Sequence, residues 1–294
     1  MAADPTHREH SYVLTLACPD RTGIVARISG FLAGLDGWIT EAAYHSDQES
    51  GRFFTRQEVR AEPDGIDLEA LRAGFAEVAA ELLADHWTVT DTSVPKRVVL
   101  LVSREGHCLY DLLSRWHAGD LGAQVTRVVG NHRDLSEVAV MFGLPFDHVP
   151  VPADPAGKAA AFARIGELVD GDNPDAVVLA RFMQVVPPQW CAHWAGRLIN
   201  IHHGFLPGFR GARPYLQAHR RGVKIIGATC HYVTEELDDG PIIEQDVIRV
   251  DHADSAAAMA RKGRDIEKVV LARGLANHLQ DRVLLDGRRT VILG

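Results

Sequence analysis

The sequence has few cysteines, no long apolar run and no excess of basic residues. Its four cysteines, Cys18, Cys108, Cys191 and Cys230, show no Cys-x-x-Cys spacing. This argues against a zinc site or a disulfide framework and is typical of the reducing cytosol. No apolar stretch approaches the ~18 residues that span a membrane. The net charge of −8 argues against a nucleic-acid-binding protein, which would carry a basic stripe.

Motifs of several enzyme classes are also missing. The sequence contains no Gly-x-Gly-x-x-Gly fingerprint for a dinucleotide and no Gly-x-x-x-x-Gly-Lys-[Ser/Thr] loop for a nucleotide phosphate. Gly-x-Ser-x-Gly, the nucleophile elbow of many hydrolases, is absent as well. Residues 1–10 are polar and lack the apolar segment of a secretory signal. We therefore expect a cytoplasmic protein without hydride, P-loop or elbow-serine chemistry.

Residues 1–92 are predicted to form a first domain. Their hydrophobic patterns predict strands at 11–17, 38–45, 51–61 and 87–92 and helices at 24–35 and 67–85. Asp20 or Thr22 is expected to cap the first helix. The order β-α-β-β-α-β is that of a ferredoxin-like α+β domain.

After a short linker at 93–96, residues 97–294 show a different pattern, in which strands alternate with helices. The near-continuous apolar run at 98–102 is typical of a central parallel strand. Further strands are predicted at 124–130, 146–151, 176–180, 196–202, 224–234 and 241–250, with a long helix at 254–280 and short strands near 283–293. The fold class is therefore α/β, with a doubly wound, mostly parallel sheet in this second domain.

A polar pair marks the end of one buried strand. Asn200 and His202 are two residues apart within an apolar β-branched run, so both side chains point to one face. Open α/β sheets bind ligands at the carboxyl ends of their strands. The alternative is a strand end with solvated polar residues, and on this segment alone the two interpretations are about equal.

The acidic turn at 234–241 supplies a third candidate, Asp238. If the strand at 224–234 lies beside the strand at 196–202, we expect this turn at the same edge as His202. An Asn, a His and an Asp together suit attack on a carbonyl without a covalent intermediate. The Asn stabilises the oxyanion, the His transfers protons and the Asp orients the His. A solvated hairpin tip is the alternative for the turn.

Several segments resemble one enzyme family. Four segments resemble the formyltransferases that use 10-formyltetrahydrofolate. They are Asn200-Ile201-His202, Leu206-Pro207, Gly227-Ala228-Thr229 and Leu237-Asp238-Asp239-Gly240-Pro241. The closer resemblance is to formyltetrahydrofolate deformylases, hydrolases of the same fold with an N-terminal ACT domain. It rests on Leu14-Thr15-x-x-Cys18-Pro19-Asp20, His107-Cys108-Leu109, Asn200-Ile201-His202-His203 and Gly211-Ala212-x-Pro214-Tyr215, and it extends over about residues 10–290.

This resemblance implies hydrolysis of 10-formyltetrahydrofolate to tetrahydrofolate and formate in one-carbon metabolism and purine biosynthesis, without a metal or a prosthetic group. Asn200, His202 and Asp238 would be catalytic. The implied substrate-binding residues are Arg181, Phe182, Met183, Gln184, Val185, Val186, Leu237 and Gly204. The segment 182–186 has an alternative interpretation as an apolar cluster at a strand end. Gly204 stands where the resemblance leads us to expect a serine.

Two alternative functions stay open. The first is formyl transfer from 10-formyltetrahydrofolate to an unidentified amine. The loop at 103–107, after the first strand of the second domain, has one glycine and an acidic side chain, which suits a phosphate-bearing acceptor poorly because a phosphate needs several convergent N–H groups. The second alternative is a folate- or amino-acid-sensing protein with an idle catalytic domain.

The resemblance to ACT domains implies an amino-acid effector, with glycine and methionine as candidates. The effector would bind at the turn formed by Asp20, Arg21, Thr22, Gly23 and Ile24. Edge strands of such a domain pair readily, so we expect a homodimer or homotetramer. The expected partners are the folate substrate, this effector and further copies of the chain, with no nucleic acid and no membrane.

Overall fold

The computed structural model describes residues 10–60, 65–208, 211 and 213–294. Some positions used above lie outside this part of the chain: residues 1–9 of the polar N-terminal segment, Ala61 at a predicted strand end and Ala212 in a family motif. None of the helices in the described part is both long and apolar enough to cross a membrane.

The chain divides into two compact units. The first extends to Pro95 and includes the C-terminal segments Asp281–Leu284 and Val291–Gly294. The second consists of Lys96–Gln280 and Leu285–Thr290. The domain bounds read from the sequence, 1–92 and 97–294, differ from these units mainly in the last residues.

The first unit contains a four-stranded antiparallel sheet and two helices. Its strands have the order β2-β3-β1-β4. The elements are β1 (Ser11–Pro19), α1 (Ile24–Ala33), β2 (Trp38–Asp47), β3 (Arg52–Arg60), α2 (Leu68–Glu81) and β4 (His86–Asp91). This arrangement confirms the predicted ferredoxin-like domain.

Strand β1 is buried on both faces, and this explains why the chain's end belongs to the first unit. Leu14 and Leu16 pack in a core with residues of α1 and α2. On the other face, Ala17 forms a small apolar cluster with Phe54, Leu284 and Leu293. The pattern of this short apolar segment does not indicate which face of which sheet the segment covers.

Helix α1 begins differently from the prediction. Gly23 is the N-cap residue with a φ of 96°, and no side-chain cap is seen in the described part of the chain. The predicted capping by Asp20 or Thr22 is therefore wrong. The left-handed conformation, which glycine adopts without a steric penalty, replaces the extended conformation that a capping side chain requires. Asp20 instead accepts a hydrogen bond from Ser46 Oγ.

The second unit contains a seven-stranded sheet of order β11-β10-β9-β8-β5-β6-β7. Its strands are β5 (Lys96–Val102), β6 (Ala123–Gly130), β7 (Phe146–His148), β8 (Ala176–Leu179), β9 (Leu198–His202), β10 (Ile225–Tyr232) and β11 (Ile242–Arg249). Its helices are α3 (His107–His117), α4 (Ser136–Met141), α5 (Pro155–Gly171), α6 (Pro188–His193), α7 (Pro214–Arg221) and α8 (Ala256–Leu279). A hairpin of β12 (Val283–Asp286) and β13 (Arg289–Ile292) follows α8.

Strands β5 to β9 are parallel, and β10 and β11 are antiparallel to their neighbours. The predicted doubly wound, mostly parallel sheet is therefore confirmed. The predicted strand at 146–151 is shorter than expected and ends at His148, because Pro150 and Pro152 lack the N–H group that extends a strand.

The strand order creates a topological switch point between β5 and β8. From β5 the chain proceeds to β6 and β7 on one side, and it then crosses to β8 on the other side of β5. The loops after these two strands therefore diverge from one edge. Open α/β sheets bind their ligands in the crevice at such a point.

Helix α8 packs on β10 and β11. Its N-cap residue is Ser255, whose Oγ accepts a hydrogen bond from Ala258 N–H at 3.2 Å. Gly274 allows the close approach to β10. A Cβ atom at this position would lie 2.5 Å from Cys230 Sγ and 2.9 Å from Cys230 Cβ.

We expect Gly274→Ala to destabilise the protein by about 1–3 kcal/mol, because the added methyl group overpacks a closed interior. Urea unfolding followed by circular dichroism measures the loss. Gly166→Ala, in the middle of α5, is the matched control, since its Cβ would lie at an ordinary 3.7 Å from Trp190 Nε1. The control gains helix propensity and should be about 0.5–1 kcal/mol more stable. Equal stabilities of the two variants would contradict the close packing of α8.

Candidate active site

Strand β9 presents two polar side chains at its carboxyl end. Asn200 and His202 point to the same face of the sheet, while Ile199 and Ile201 are buried on the other. Strands β8 and β10 hydrogen-bond to the two sides of β9, and His202 is only 3% exposed. The pair is therefore held on rigid backbone.

Asp238 contacts His202, but the acidic turn leaves the sheet at the opposite end from the one expected. Strand β10 runs antiparallel to β9, with Thr229 opposite His202, and Val233 N–H donates to Leu198 O at 2.8 Å. The acidic loop thus starts at the amino end of β9. It returns along the strand by four residues, about 13 Å, to place Asp238 Oδ1 3.2 Å from His202 Nδ1.

The carboxylate of Asp238 fixes the orientation of the His202 ring. Burial alone would raise the pKa of Asp238, but the hydrogen bond and charge of His202 and the N–H group of Gly211 lower it below its ordinary value. The group is therefore ionised at neutral pH. A carboxylate only accepts hydrogen bonds, so Nδ1 of His202 carries the proton and Nε2 faces the other way.

Gly204 lies against Nε2 of His202. A Cβ atom at this position would be 2.9 Å from Nε2 and 3.3 Å from Pro214 Cβ, closer than side-chain carbons normally approach. The serine that the family resemblance led us to expect here would crowd the ring. Glycine keeps side-chain atoms away from Nε2.

His231, which the sequence reasoning missed, fixes the amide of Asn200. Its Nδ1 lies 2.8 Å from Tyr232 O, and a carbonyl only accepts, so Nδ1 carries the hydrogen. Burial lowers the pKa of His231, which leaves the ring neutral and Nε2 free to accept. Asn200 Nδ2 is 3.2 Å from that nitrogen and donates one of its two hydrogens to it. The amide NH₂ group of Asn200 therefore points towards His231.

Thr229 and Gln245 hold the loop that follows β9. Thr229 Oγ1 donates to Gly204 O at 2.9 Å and accepts from Leu206 N–H at 3.1 Å. Gln245 Nε2 donates to Leu206 O at 2.9 Å and also lies 2.9 Å from Thr229 Oγ1. These buried contacts position Gly204 beside His202. No motif in the sequence had indicated Gln245.

The predicted pterin loop, residues 181–186, follows β8 at the switch point. Met183 N–H donates to Ser103 Oγ at 2.9 Å, which ties this loop to the loop after β5. Gln184 N–H donates to Phe182 O at 2.8 Å. Two backbone groups of the loop therefore already have partners within the chain.

The side chains of this loop divide into two sets. Phe182 is buried and packs against Phe162, and Val186 packs partly buried in the same cluster, so both contribute to the core. Met183 and Val185, like Leu237 of the acidic loop, are more than half exposed. These three can contact a ligand without rearrangement of the core.

Arg181 belongs to a second buried polar group, which we call the Glu267 cluster (His107, Arg181, Tyr215 and Glu267). Glu267 lies on α8 and is 1% exposed. Its Oε1 accepts from Tyr215 Oη at 2.5 Å, and its Oε2 accepts from His107 Nε2 at 2.8 Å. Arg181 Nε is 3.4 Å from Oε2. An imidazole, a guanidinium and a hydroxyl group thus converge on one carboxylate.

The pKa values of two buried groups in this region are lowered. Burial alone would raise the pKa of Glu267, but His107, Arg181 and Tyr215 together lower it to about 2. Burial and the charge of Arg181 lower the pKa of His203 to about 4. At neutral pH the carboxylate is therefore ionised and the His203 ring is uncharged.

His107, Cys108 and Glu267 offer ligand atoms within 4.8 Å of one another, the only such group found among the described residues. The set suits a metal ion poorly. His107 and Glu267 are already hydrogen-bonded to each other. Burial raises the pKa of Cys108 well above its usual value, which keeps the thiol protonated, and a metal binds the thiolate.

In the first unit, the five predicted effector residues form the turn before α1 and the start of that helix. Arg21 Nη2 donates to Glu81 O at 2.7 Å, and Ile24 is buried in the core of the unit. With the hydrogen bond between Ser46 and Asp20, three of the five stabilise the unit itself.

Comparisons with known proteins give one consistent result. The formyl transferase family model matches residues 96–275. A formyltetrahydrofolate deformylase of Corynebacterium sp. is 43% identical over 96% of this chain and 98% of its own. The crystal structure of a formyltetrahydrofolate deformylase from Pseudomonas syringae is 54% identical, with a TM-score of 0.94 over 99% of this chain and 96% of that one.

The chain belongs to the formyltetrahydrofolate deformylase family.

Similarity to transferases covers a smaller share of this chain than similarity to the formyltetrahydrofolate deformylases. A glycinamide ribonucleotide transformylase from Symbiobacterium toebii is 29% identical, with a TM-score of 0.64, and matches 68% of this chain and 95% of its own. The formyl transferase model starts at residue 96, where the second unit starts. The catalytic fold is thus common to hydrolases and transferases.

The depressed pKa of Glu267 predicts a dependence of stability on pH. Its ordinary value is 4.5 and its value here is about 2, so the ionised group stabilises the fold above pH 4.5, and this contribution disappears as the pH falls towards 2. The difference corresponds to about 3 kcal/mol. We expect Glu267→Gln to be less stable than the native chain at pH 7, with a difference that shrinks below pH 4.5 in urea unfolding.

Asp265→Asn on the same helix is the control, because the side chain of Asp265 is 73% exposed and pairs only with Lys268 in the described part of the chain. This variant should match the native chain at each pH. A constant difference between native protein and Glu267→Gln from pH 7 to pH 3 would contradict the assigned shift.

Proposed function

We propose that this protein hydrolyses 10-formyltetrahydrofolate to tetrahydrofolate and formate. Water attacks the formyl carbon, the bond from that carbon to N10 breaks, and N10 takes up a proton. The observation that carries the proposal is the meeting of Asn200, His202 and Asp238 at one end of β9, with 3.2 Å between the ring and the carboxylate. Family membership supports the same reaction.

Asn200 would hold the formyl oxygen. One N–H of its amide is used by His231, and the second N–H remains for the substrate. As water adds, negative charge builds on the formyl oxygen, and a fixed N–H donor stabilises it most in the transition state. His231 would be a positioning residue, since its hydrogen bonds in the described part of the chain are to Asn200 and to the backbone.

His202 would move the proton. With Nδ1 protonated towards Asp238, its Nε2 can accept a proton from the attacking water and deliver it to N10. Asp238 stabilises the cationic ring between these two steps. Gly204 leaves room next to Nε2 for the water.

The pterin ring would bind along the segment from Arg181 to Val186. The exposed side chains of Met183, Val185 and Leu237 suit an apolar ring face, while Phe182 supports the loop from the core side. Gln184 remains a candidate through its side chain. The four cysteines are free thiols, as is usual in the cytoplasm, where we propose that the reaction occurs.

The decisive experiment is incubation of the pure protein with 10-formyltetrahydrofolate and no amine, with formate and tetrahydrofolate measured together. We expect both in equal amounts. Asn200→Ala, His202→Ala and Asp238→Ala should each lose at least 10²-fold in kcat. His231→Phe should lower kcat with little change in KM, because it disturbs the amide and not the folate site.

His252→Ala, an exposed histidine of the same unit, is the control and should keep the native rate. Circular dichroism confirms that each variant is folded. Near-native turnover in any two of the three alanine variants would contradict the assignment. Binding of the folate without release of formate would instead support transfer to an amine.

The first unit would assemble copies of the chain and bind an amino-acid effector at the turn 20–24. Strand β2 is an edge strand, and its Trp38 is 65% exposed, so it offers unpaired backbone and apolar surface to a second copy. We expect a dimer or tetramer by light scattering. A mass near the 32.2 kDa of one chain at micromolar concentration would contradict this.

A further inference from the structure

The acidic loop that carries Asp238 is closed at its base. Tyr232 N–H donates a hydrogen bond to Pro241 O at 2.9 Å, and a Cβ atom at Gly240 would overlap the Tyr232 carbonyl group. Between these points the side chains of residues 234–237 are exposed. The closed base therefore does not by itself fix the segment around Asp238.

The backbone at Asp238 has a conformation that needs support. Its φ is 54°, in the left-handed region that residues other than glycine rarely adopt. Such conformations persist where the surrounding structure holds them. The carboxylate is bound by His202 and by Gly211 N–H. Because both contacts are made by the side chain, the backbone on either side of Asp238 needs a support of its own.

Arg288 is placed to give this support. Its guanidinium forms an ion pair with the carboxylate of Asp239, the residue directly after Asp238. Its Nη2 also lies 3.5 Å from Asp239 O and 3.8 Å from Glu236 Oε2. A single exposed ion pair contributes little to stability. Here, however, one guanidinium contacts the loop before and after Asp238, and the Asp239 side chain is only 11% exposed.

The backbone that carries Arg288 is fixed by the hairpin at the end of the chain. Arg288 follows Gly287 in the turn between β12 and β13. Thr290, the second residue of β13, donates a hydrogen bond from its Oγ1 to Ile242 O at 2.5 Å. Ile242 is the first residue of β11, directly after the acidic loop. The Arg288 side chain is 71% exposed, but it extends from a backbone that is tied to this loop.

We propose that Arg288 is a positioning residue, which holds the acidic loop in the conformation in which Asp238 contacts His202. It acts through Asp239 and Glu236 and not on the substrate. Without the guanidinium, these two acidic side chains lose their shared cation, and the loop gains conformations in which Asp238 turns away from the ring. The inference rests on the proposed catalytic role of Asp238.

The first test measures kcat for formate release at saturating 10-formyltetrahydrofolate. We expect Arg288→Ala to lower kcat about tenfold, because a small displacement of a catalytic group is costly. Arg288→Lys keeps the charge without the planar fork and should recover part of the loss. Arg273→Ala is the matched control, since Arg273 is a 57% exposed arginine that pairs with Asp246 at 3.0 Å. It should keep the native rate.

A double variant separates positioning from a general structural role. In Asp238→Ala the carboxylate that Arg288 would position is missing. Adding Arg288→Ala should therefore change the remaining kcat by less than about twofold. The same loss in this background as in the native chain would overturn the inference, because Arg288 would then act independently of Asp238. A native kcat in Arg288→Ala alone would overturn it as well.

Hydrogen exchange distinguishes failure of this inference from failure of the proposed function. Arg288→Ala should exchange the backbone amides of residues 234–240 faster than the native protein, whereas Arg273→Ala should not. Unchanged exchange in this segment overturns the inference, whether or not the protein releases formate. If the native protein releases no formate, the proposed hydrolysis is wrong, and faster exchange in Arg288→Ala still supports the hold of Arg288 on the loop.

Discussion

The hydrogen bond between Asp238 and His202 depends on the register of one strand. Strand β10 places Thr229 opposite His202 and His231 opposite Asn200, and the loop that follows it carries Asp238. A slip of one residue would turn His231 away from the amide and Thr229 away from the Gly204 loop. The orientation of the amide, the orientation of the imidazole and the open space at Gly204 therefore share one cause, the pairing of β10 with β9.

Much of this architecture could be predicted from periodicity. The alternation at 11–17 indicated a strand of the first domain's antiparallel sheet. The apolar run at 98–102 indicated a buried strand of a parallel sheet. Both sheets are present. Asn200 and His202 became candidates because two residues at alternate positions of a strand share a face whatever the fold. Asp238 was also a candidate, but the reasoning assumed that its turn leaves the sheet at the edge of His202. The turn leaves at the opposite end, and only the returning loop brings the carboxylate back.

The features that escaped prediction all depend on contacts between distant segments. His231 is one histidine among 15, and its role requires the register of β10. No motif in the sequence indicated Glu267, since its partners His107, Arg181 and Tyr215 come from three other parts of the chain. The spacing of residues along the sequence does not reveal such long-range contacts. For the same reason a loop that seemed merely unsuited to phosphate proved to contribute to a buried network around a carboxylate.

The last residues of the chain have a consequence for synthesis on the ribosome. The sheet of the first unit is complete in hydrogen bonding once residue 91 has emerged, yet the cluster of Ala17 and Phe54 includes Leu284 and Leu293. Until residues 284–293 have been made, part of this apolar surface faces water and is open to non-native contacts. A nascent or truncated chain that lacks residues 284–293 is therefore expected to expose this apolar surface and to be prone to aggregation.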